Sequence, residues 1–119
     1  MLILVAHGSR DSNWRSSVES LTETLQADLG PDKLRLAYMD LTPPTLEDVV
    51  SEAVQAGVAR LRVLPLFLAN EGHVDRDIRP EVDRLRRLHQ SVEVELLPAV
   101  GQHELFRELL SKIALENAE

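Results

Sequence analysis

Two histidines and the residues beside them are the part of this sequence most suited to chemistry. His7 lies in the segment HGSR, directly after the apolar run from Leu2 to Ala6, and His73 lies in the segment NEGHVDRD, after the apolar run from Leu61 to Phe67. Neutral imidazole binds divalent transition metals and also accepts protons. Each histidine adjoins a glycine, which lets the backbone turn sharply and approach a ligand closely. The two segments therefore predict a site for a metal ion or for acid–base chemistry.

Three polar residues near the histidines are candidates for binding a negatively charged substrate, namely Ser9, Arg10 and Arg76. Arginine binds carboxylates through two parallel hydrogen bonds, and the amides at the start of the helix after His7 can also bind an anion. The alternative for Arg76 is structural, an ion pair with Asp75 or Asp77 at the start of the next helix.

Glu71 and Asp75 flank His73 and are candidates for orienting an imidazole or relaying a proton. The alternative for either crevice histidine is a hydrogen-bonded structural role. His89 and His103 fall at the end of the third predicted helix and at the start of the fourth, and we expect structural roles for both.

The elements that position these residues are four apolar runs, each followed by a segment whose apolar residues recur at helical spacing. The runs are Leu2 to Ala6, Leu34 to Met39, Leu61 to Phe67 and Val92 to Leu97. Alternating strands and helices predict a parallel sheet with helices on both faces. We expect a single doubly wound α/β domain over residues 1–119, with strand order 2-1-3-4. The strand order reverses between the first and third strands, which brings both histidine segments to one crevice.

Capping signals and apolar stripes define the predicted helices. Asp11 or Ser12 is expected to cap the first helix, Thr45 with Asp48 the second, and Pro80 to lie near the start of the third. The first helix carries Trp14, Val18, Leu21, Leu25 and Leu29 on one face, the second Leu46, Val49, Val50, Ala53 and Val54, and the fourth Leu105, Phe106, Leu109, Leu110 and Ile113.

The composition excludes several classes of function. The chain has 119 residues, with 20 acidic and 13 basic side chains and a formal net charge of -7, and it has no basic block, so a nucleic-acid partner is not expected. The absence of cysteine excludes thiolate metal sites and thiol nucleophiles. No targeting leader and no apolar run near the ~18 residues of a membrane span is present, so we expect a cytoplasmic protein without a membrane partner.

Three stretches carry a family resemblance: LILVAHGSR, AYMDLTPPTLEDVV and VLPLFLANEGHVDRDI. In this order and spacing they resemble the small single-domain members of the CbiX family, the sirohydrochlorin cobaltochelatases of the class II chelatase group. The resemblance extends from Leu2 to about Leu110. Arg79 and Glu71 depart from the residues usual in the family.

The resemblance implies insertion of a divalent metal into the tetrapyrrole sirohydrochlorin, in the biosynthesis of cobalamin or sirohaem-type cofactors. It implies a flavodoxin-like, chelatase-like fold, metal binding by His7 and His73, and a homodimer. With such a substrate, we expect Ser9, Arg10 and Arg76 to meet the carboxylates of the macrocycle. The metal is a substrate, with Co²⁺ favoured and Ni²⁺ or Fe²⁺ as alternatives, and no organic cofactor is implied.

Two other classes of function stay open. The first is a carrier of metal or tetrapyrrole on the same fold that does not turn over its ligand. The second is a hydrolase or phosphoryl-transfer enzyme that uses His7 or Ser9 as a nucleophile. The sequence has neither a G-x-S-x-G motif nor a Walker A motif, which argues against this second class.

Overall fold

A four-stranded parallel sheet forms the centre of the protein in a computed structural model. Its strands are β1 (Leu2–Ala6), β2 (Leu34–Tyr38), β3 (Arg60–Pro65) and β4 (Glu93–Leu96), in the order β2-β1-β3-β4. The structure describes residues 1–8, 12–39, 42–68, 72 and 74–118, without the side chains of residues 12 and 14. The predicted α/β class and strand order are confirmed. Strand ends differ from prediction by one or two residues, because backbone pairing rather than apolarity ends a strand.

Four α-helices connect or follow the strands: α1 (Ser12–Leu29), α2 (Leu46–Gln55), α3 (Arg79–Leu88) and α4 (Glu104–Asn117). The predicted capping box of α2 is confirmed, since Thr45 accepts from the Asp48 amide and Asp48 accepts from the Thr45 amide. A π-helix, Val74–Ile78, runs directly into α3. The sequence indicated a helix start near Pro80 but not this wider turn before it.

The hydrophobic core lies between one face of the sheet and helices α2 and α3. Alternate strand residues point to this face because side chains alternate along a strand. The core members are Ile3, Val5, Ala37, Leu46, Val49, Val50, Ala53, Leu61, Val63, Ile78, Val82, Leu85, Val92 and Val94. The predicted stripe of α2 is thus buried, apart from Val54 at its border.

Arg84 joins the two helices that cover this face. Its guanidinium lies 2.9 Å from a carboxylate oxygen of Glu47 on α2 and 2.7 Å from one of Glu81 on α3. Hydrogen bonds with Glu81 and then Glu47 raise the pKa of Arg84. Only the folded chain brings Glu47 near this arginine, because the two residues lie on different helices.

The opposite face of the sheet is only partly covered. Helix α1 lies over β2, where the Tyr38 hydroxyl donates to Glu19 (2.7 Å) and the Gln26 amide donates to the Leu34 carbonyl (2.8 Å). On this face β3 and β4 present two exposed ion pairs, Arg60–Glu93 and Arg62–Glu95, each at 3.2 Å.

Helix α4 projects from the rest of the domain. None of the residues Glu104–Asn117, all of which the structure describes, is buried, and Leu105, Leu109, Leu110 and Ile113 are 48–65% exposed. The molecule accordingly measures 53 Å in its longest dimension and 30 and 28 Å in the others. The predicted apolar stripe of α4 is present but has no intramolecular partner within the described part of the chain.

No helix in the described ranges is both long and apolar enough to cross a membrane. The expected cytoplasmic location stays a prediction.

Candidate active site

His7 stands at the carboxyl end of β1, the central strand beside which the strand order reverses. The four residues before it, Ile3 to Ala6, are at most 3% exposed, whereas His7 itself is exposed. Gly8 follows with a φ of 80°, a left-handed conformation that glycine adopts without strain. The buried strand therefore fixes the backbone of His7 while its imidazole reaches the surface of the crevice.

Phe67, just after β3, contacts His7. Their ring centroids are 5.9 Å apart and the ring planes meet at 66°, an edge-to-face arrangement. Phe67 is half-buried, and the exposed Leu68 follows it. The backbone of Phe67 and Leu68 lies against the 3-10 helix Val100–Gln102, which follows β4. The contact is made at Gly101, whose amide donates to the Phe67 carbonyl.

The turn before the π-helix is built on Gly72 and Arg76. Gly72 has a φ of 91°, and its carbonyl accepts from the Arg76 amide at 2.8 Å and from the Arg76 Nε at 3.3 Å. The guanidinium lies so close that a Cβ on Gly72 would come within 2.9 Å of it. Because this carbonyl belongs to the peptide between Gly72 and His73, Arg76 holds the backbone that leads into the second predicted metal ligand.

Asp75 forms an ion pair with Arg79, one turn further along the chain. The Arg79 Nε lies 3.1 Å from the Asp75 Oδ1, and both side chains are more than half exposed. Asp75 thus pairs with Arg79, whereas the Nε of the Arg76 side chain donates to the Gly72 carbonyl and not to Asp75. The second role expected for Asp75, orienting an imidazole, stays a prediction.

Asp77 faces a separate groove at the carboxyl end of β2. This groove, of about 390 Å³, is lined by Tyr38, Met39, Thr45, Leu46, Glu47, Asp77, Glu81 and Arg84.

Burial, followed by the hydrogen bond to Glu19 and the charge of that carboxylate, raises the pKa of Tyr38 to about 12. The tyrosine is 2% exposed, so it acts as a packing residue beside the crevice.

Four of the predicted site residues, Ser9, Arg10, Glu71 and His73, lie outside the described residues. Within the described ranges, no group of three or more His, Asp or Glu side chains has the arrangement of a metal cage. The structure therefore places His7, Asp75 and Arg76 at the carboxyl edge of the sheet, and the pairing of His7 with His73 stays a prediction.

Two residues of this region were not singled out from the sequence: Phe67 and Gly101. Phe67 ends an apolar run and so was taken as part of a strand, although strand pairing stops at Pro65. Gly101 lies between Val100 and Gln102 with no motif around it. Only the folded chain brings it against the segment after β3.

A model of the CbiX family matches residues 1–117. The chain belongs to the CbiX family. In structure it is similar to a CbiX protein of cobalamin (vitamin B12) biosynthesis from Marinobacter aquaeolei VT8, with a TM-score of 0.81, 31% sequence identity, and coverage of 97% of this chain and 93% of that one. The family resemblance seen in the sequence is thus confirmed over nearly the whole chain.

Two characterised relatives of this CbiX chain carry different metals in their names. A sirohydrochlorin cobaltochelatase from Methanopyrus kandleri is 35% identical over 77 residues, which are 65% of this chain and 54% of the relative. A sirohydrochlorin ferrochelatase from Bacillus subtilis is 25% identical over 100 residues, which are 84% of this chain and 38% of the relative. The chain thus spans about half the length of the first and less of the second.

The described part of this CbiX site presents one imidazole, that of His7, exposed at a rigid strand end. A metal ion held by few protein ligands keeps coordination positions open for incoming atoms, which is what a metal-transfer reaction requires. Metal binding by His7 stays a prediction.

Proposed function

We propose that this protein is a sirohydrochlorin chelatase that inserts a divalent metal, Co²⁺ in the first place, into the macrocycle. The observation that carries the proposal is His7, an exposed imidazole on the buried central strand at the point where the strand order reverses. Membership of the CbiX family supports the same activity.

Metal insertion needs three things from the protein. It must hold a partly dehydrated divalent ion, present that ion to the pyrrole nitrogens, and allow two pyrrole protons to leave. We assign metal binding and proton acceptance to His7 and His73, since neutral imidazole performs both tasks. Glu71 and Asp75 are the carboxylates proposed to orient an imidazole or relay a proton.

The carboxylates of sirohydrochlorin require cationic or hydrogen-bonding partners. Ser9, Arg10 and Arg76 are proposed for this role, with amides at the start of α1 assisting. In the free protein the guanidinium of Arg76 is exposed and only its Nε bonds to Gly72, at 3.3 Å. Its terminal nitrogens can therefore bind a carboxylate while the turn stays intact.

The choice of Co²⁺ as the metal rests on the activities named for the relatives and not on the imidazole ligands. The 35% identical relative is a cobaltochelatase and the 25% identical one a ferrochelatase. Imidazole ligands bind Fe²⁺, Co²⁺ and Ni²⁺ alike, with affinity rising in that order. Fe²⁺ and Ni²⁺ therefore remain the alternatives for the metal.

The activity is tested by mixing the protein anaerobically with sirohydrochlorin and Co²⁺, Ni²⁺ or Fe²⁺, and following the visible spectrum against metal and macrocycle alone. Several turnovers per protein are expected, fastest with Co²⁺, and His7→Ala and His73→Ala are expected to abolish them while the proteins stay folded. Stoichiometric binding without acceleration would identify a carrier instead. An unchanged rate in both variants would show that the histidines are structural.

We also propose that the protein works as a homodimer in which α4 of each copy covers the open sheet face of the other. The same chain leaves both surfaces uncovered, the apolar stripe of α4 and the half-face formed by β3 and β4. A two-fold dimer requires such self-complementary surfaces, and exchange of one element between copies is a low-cost way to form it.

The open face has room and apolar surface for a helix. A groove of about 400 Å³ lies there, lined by Met1, Leu2, Arg60, Arg62 and Leu97. Leu21 of α1 is 54% exposed, whereas Val18 one turn before it is half-buried and Thr22 next to it is buried. Helix α4 is about 21 Å long, enough to lie along this groove beside α1.

A further inference from the structure

The contact between His7 and Phe67 follows from the pairing of the two central strands. β1 and β3 pair in register up to Val5 and Pro65, and the Leu66 amide then donates to the Val5 carbonyl at 2.8 Å. This extra bond continues the pairing beyond the strands and brings residues 7 and 67 side by side. The edge-to-face geometry is one that aromatic rings favour, with ring centroids 5.9 Å apart.

The backbone of Phe67 is held in turn by Gly101. The Gly101 amide donates to the Phe67 carbonyl at 2.9 Å, and a Cβ on Gly101 would collide with the carbonyl of Leu68. Gly101 is not among the glycines with positive φ, so close approach and not backbone conformation is what requires glycine here. The 3-10 helix after β4 thereby supports the segment that carries Phe67.

We propose that Phe67 is a positioning residue for His7, and that Gly101 holds Phe67 in the position to do so. The proposal rests on the proposed function, in which His7 holds the metal. Phe67 does not bind the metal itself, since its ring offers no donor atom. It acts by restricting the directions in which the His7 imidazole can point.

Metal binding requires the two side-chain bonds of the His7 imidazole to be fixed, which costs conformational entropy. Metal-binding histidines are usually oriented by a hydrogen bond to the second ring nitrogen. The edge of the Phe67 ring narrows the directions open to the imidazole by packing, and so lowers this entropic cost. The strength of an edge-to-face pair sets the expected effect at about a 2- to 10-fold change in affinity.

Binding of Co²⁺ alone, measured anaerobically by calorimetry, tests the role of Phe67. Phe67→Leu keeps an apolar side chain but removes the aromatic edge, and we expect its Kd for Co²⁺ to rise about 2- to 10-fold. Phe67→Tyr is expected to restore the affinity. Phe106→Leu is the matched control, because it makes the same change at the other phenylalanine of the chain, and we expect no change in Kd.

NMR of the histidine ring protons provides a readout that does not depend on metal. The His7 ring signals, assigned with His7→Asn, should show nuclear Overhauser contacts with Phe67 and should shift in Phe67→Leu. Absence of these contacts, or a Phe67→Leu variant that binds Co²⁺ as tightly as the unaltered chain, would overturn the proposal. If the His7–Phe67 contacts are seen but the protein does not bind Co²⁺, the proposed function is overturned. The role of Phe67 in metal binding is then overturned as well, although the ring contact itself is confirmed.

Gly101→Ala tests the second half of the proposal. The added methyl group must displace the Leu68 carbonyl, so we expect the His7 ring signals to move as they do in Phe67→Leu. Gly30→Ala is the control, since it strains a positive φ of 98° where nothing lies within 4 Å of the added carbon. Unmoved His7 signals in a folded Gly101→Ala protein would show that Gly101 does not support Phe67.

Discussion

At the scale of single residues, side-chain hydrogen bonds of capping and buried groups determine which substitutions lower the stability of the folded chain. Thr45 and Asp48 satisfy two backbone amides at the start of α2, at 3.1 and 2.9 Å. Tyr38 is buried with its hydroxyl on Glu19. Both contacts lie beside the crevice, at the carboxyl end of β2 and in the segment that follows it, so their loss is expected to affect stability first.

Thr45→Ala removes the side chain that accepts from the Asp48 amide. We expect the free energy of unfolding to fall by about 1 kcal/mol, because one amide at the helix start loses its partner. Urea denaturation measures this change. Thr24→Ala is the control, since that hydroxyl only bonds back to the Ser20 carbonyl within α1. Equal losses in the two variants would contradict a capping role.

Tyr38 predicts a dependence of stability on alkaline pH. Its pKa is raised from 10.0 to about 12 by burial and by Glu19, so the folded state favours the neutral phenol. The stability that this preference contributes is fully present below pH 10 and is lost as the pH rises toward 12. Because Tyr38 is the sole tyrosine of the chain, tyrosinate absorbance reports it directly.

In urea the same absorbance should titrate near the ordinary value for tyrosine. Tyr38→Phe should lose this part of the alkaline decrease in stability. A folded protein whose tyrosine titrates as it does in urea would contradict the prediction.

At the scale of elements, the connections that follow β1, β3 and β4 carry the residues of the candidate site, and the α-helices do not. The β3–α3 connection carries Phe67, Gly72 and the π-helix, and the β4–α4 connection carries Gly101, which supports it. The site is therefore held by packing between two connections that are more than 30 residues apart in sequence at their contact. Helix α4 begins directly after the second of these connections.

His103 caps α4, with its Nδ1 accepting from the Leu105 amide at 3.1 Å. An isolated helix of this length is marginal in water, so the cap matters more here than in a packed helix. We expect His103→Ala to destabilise α4 by about 1 kcal/mol, seen as faster amide hydrogen exchange over residues 105–110. His103→Asn should restore protection. Unchanged exchange in His103→Ala would contradict a capping role for His103.

At the scale of the whole molecule, the uneven covering of the sheet is the main feature. One face carries two helices and a continuous core, whereas the other has α1 over β2 and exposed ion pairs over β3 and β4. The projecting α4 makes the monomer elongated, at 53 Å against 30 and 28 Å. The exchange of α4 that we propose between two copies would account for both observations.

Charges on the apolar stripe of α4 should prevent dimer formation. Leu109→Glu with Ile113→Glu replaces two residues that are 56% and 48% exposed in the monomer, so the monomer itself should stay folded. Sedimentation equilibrium is expected to show a dimer for the unaltered chain and a monomer for this variant. Ser111→Glu, on the opposite side of α4, is the control. A monomeric unaltered chain at micromolar concentration would refute the exchanged-helix dimer.

The sequence by itself determined the α/β class, the strand order and the place of His7. These depend on local information, namely apolar runs of strand length, helical periods between them, and capping residues such as Thr45. The right-handed crossover rule then leaves few arrangements for four parallel strands, and it puts residues after β1 and β3 at one edge.

Only the tertiary structure decided the contacts that join distant segments. Gly101 against Phe67, the ion pair of Arg84 with Glu47, and the uncovered stripe of α4 all depend on which surfaces meet after folding. No local pattern encodes them, because hydrogen bonds and close contacts between elements are set by distances that sequence spacing does not contain. The position of His7 at the edge of the sheet was accordingly predictable, whereas the contacts of its neighbours were not.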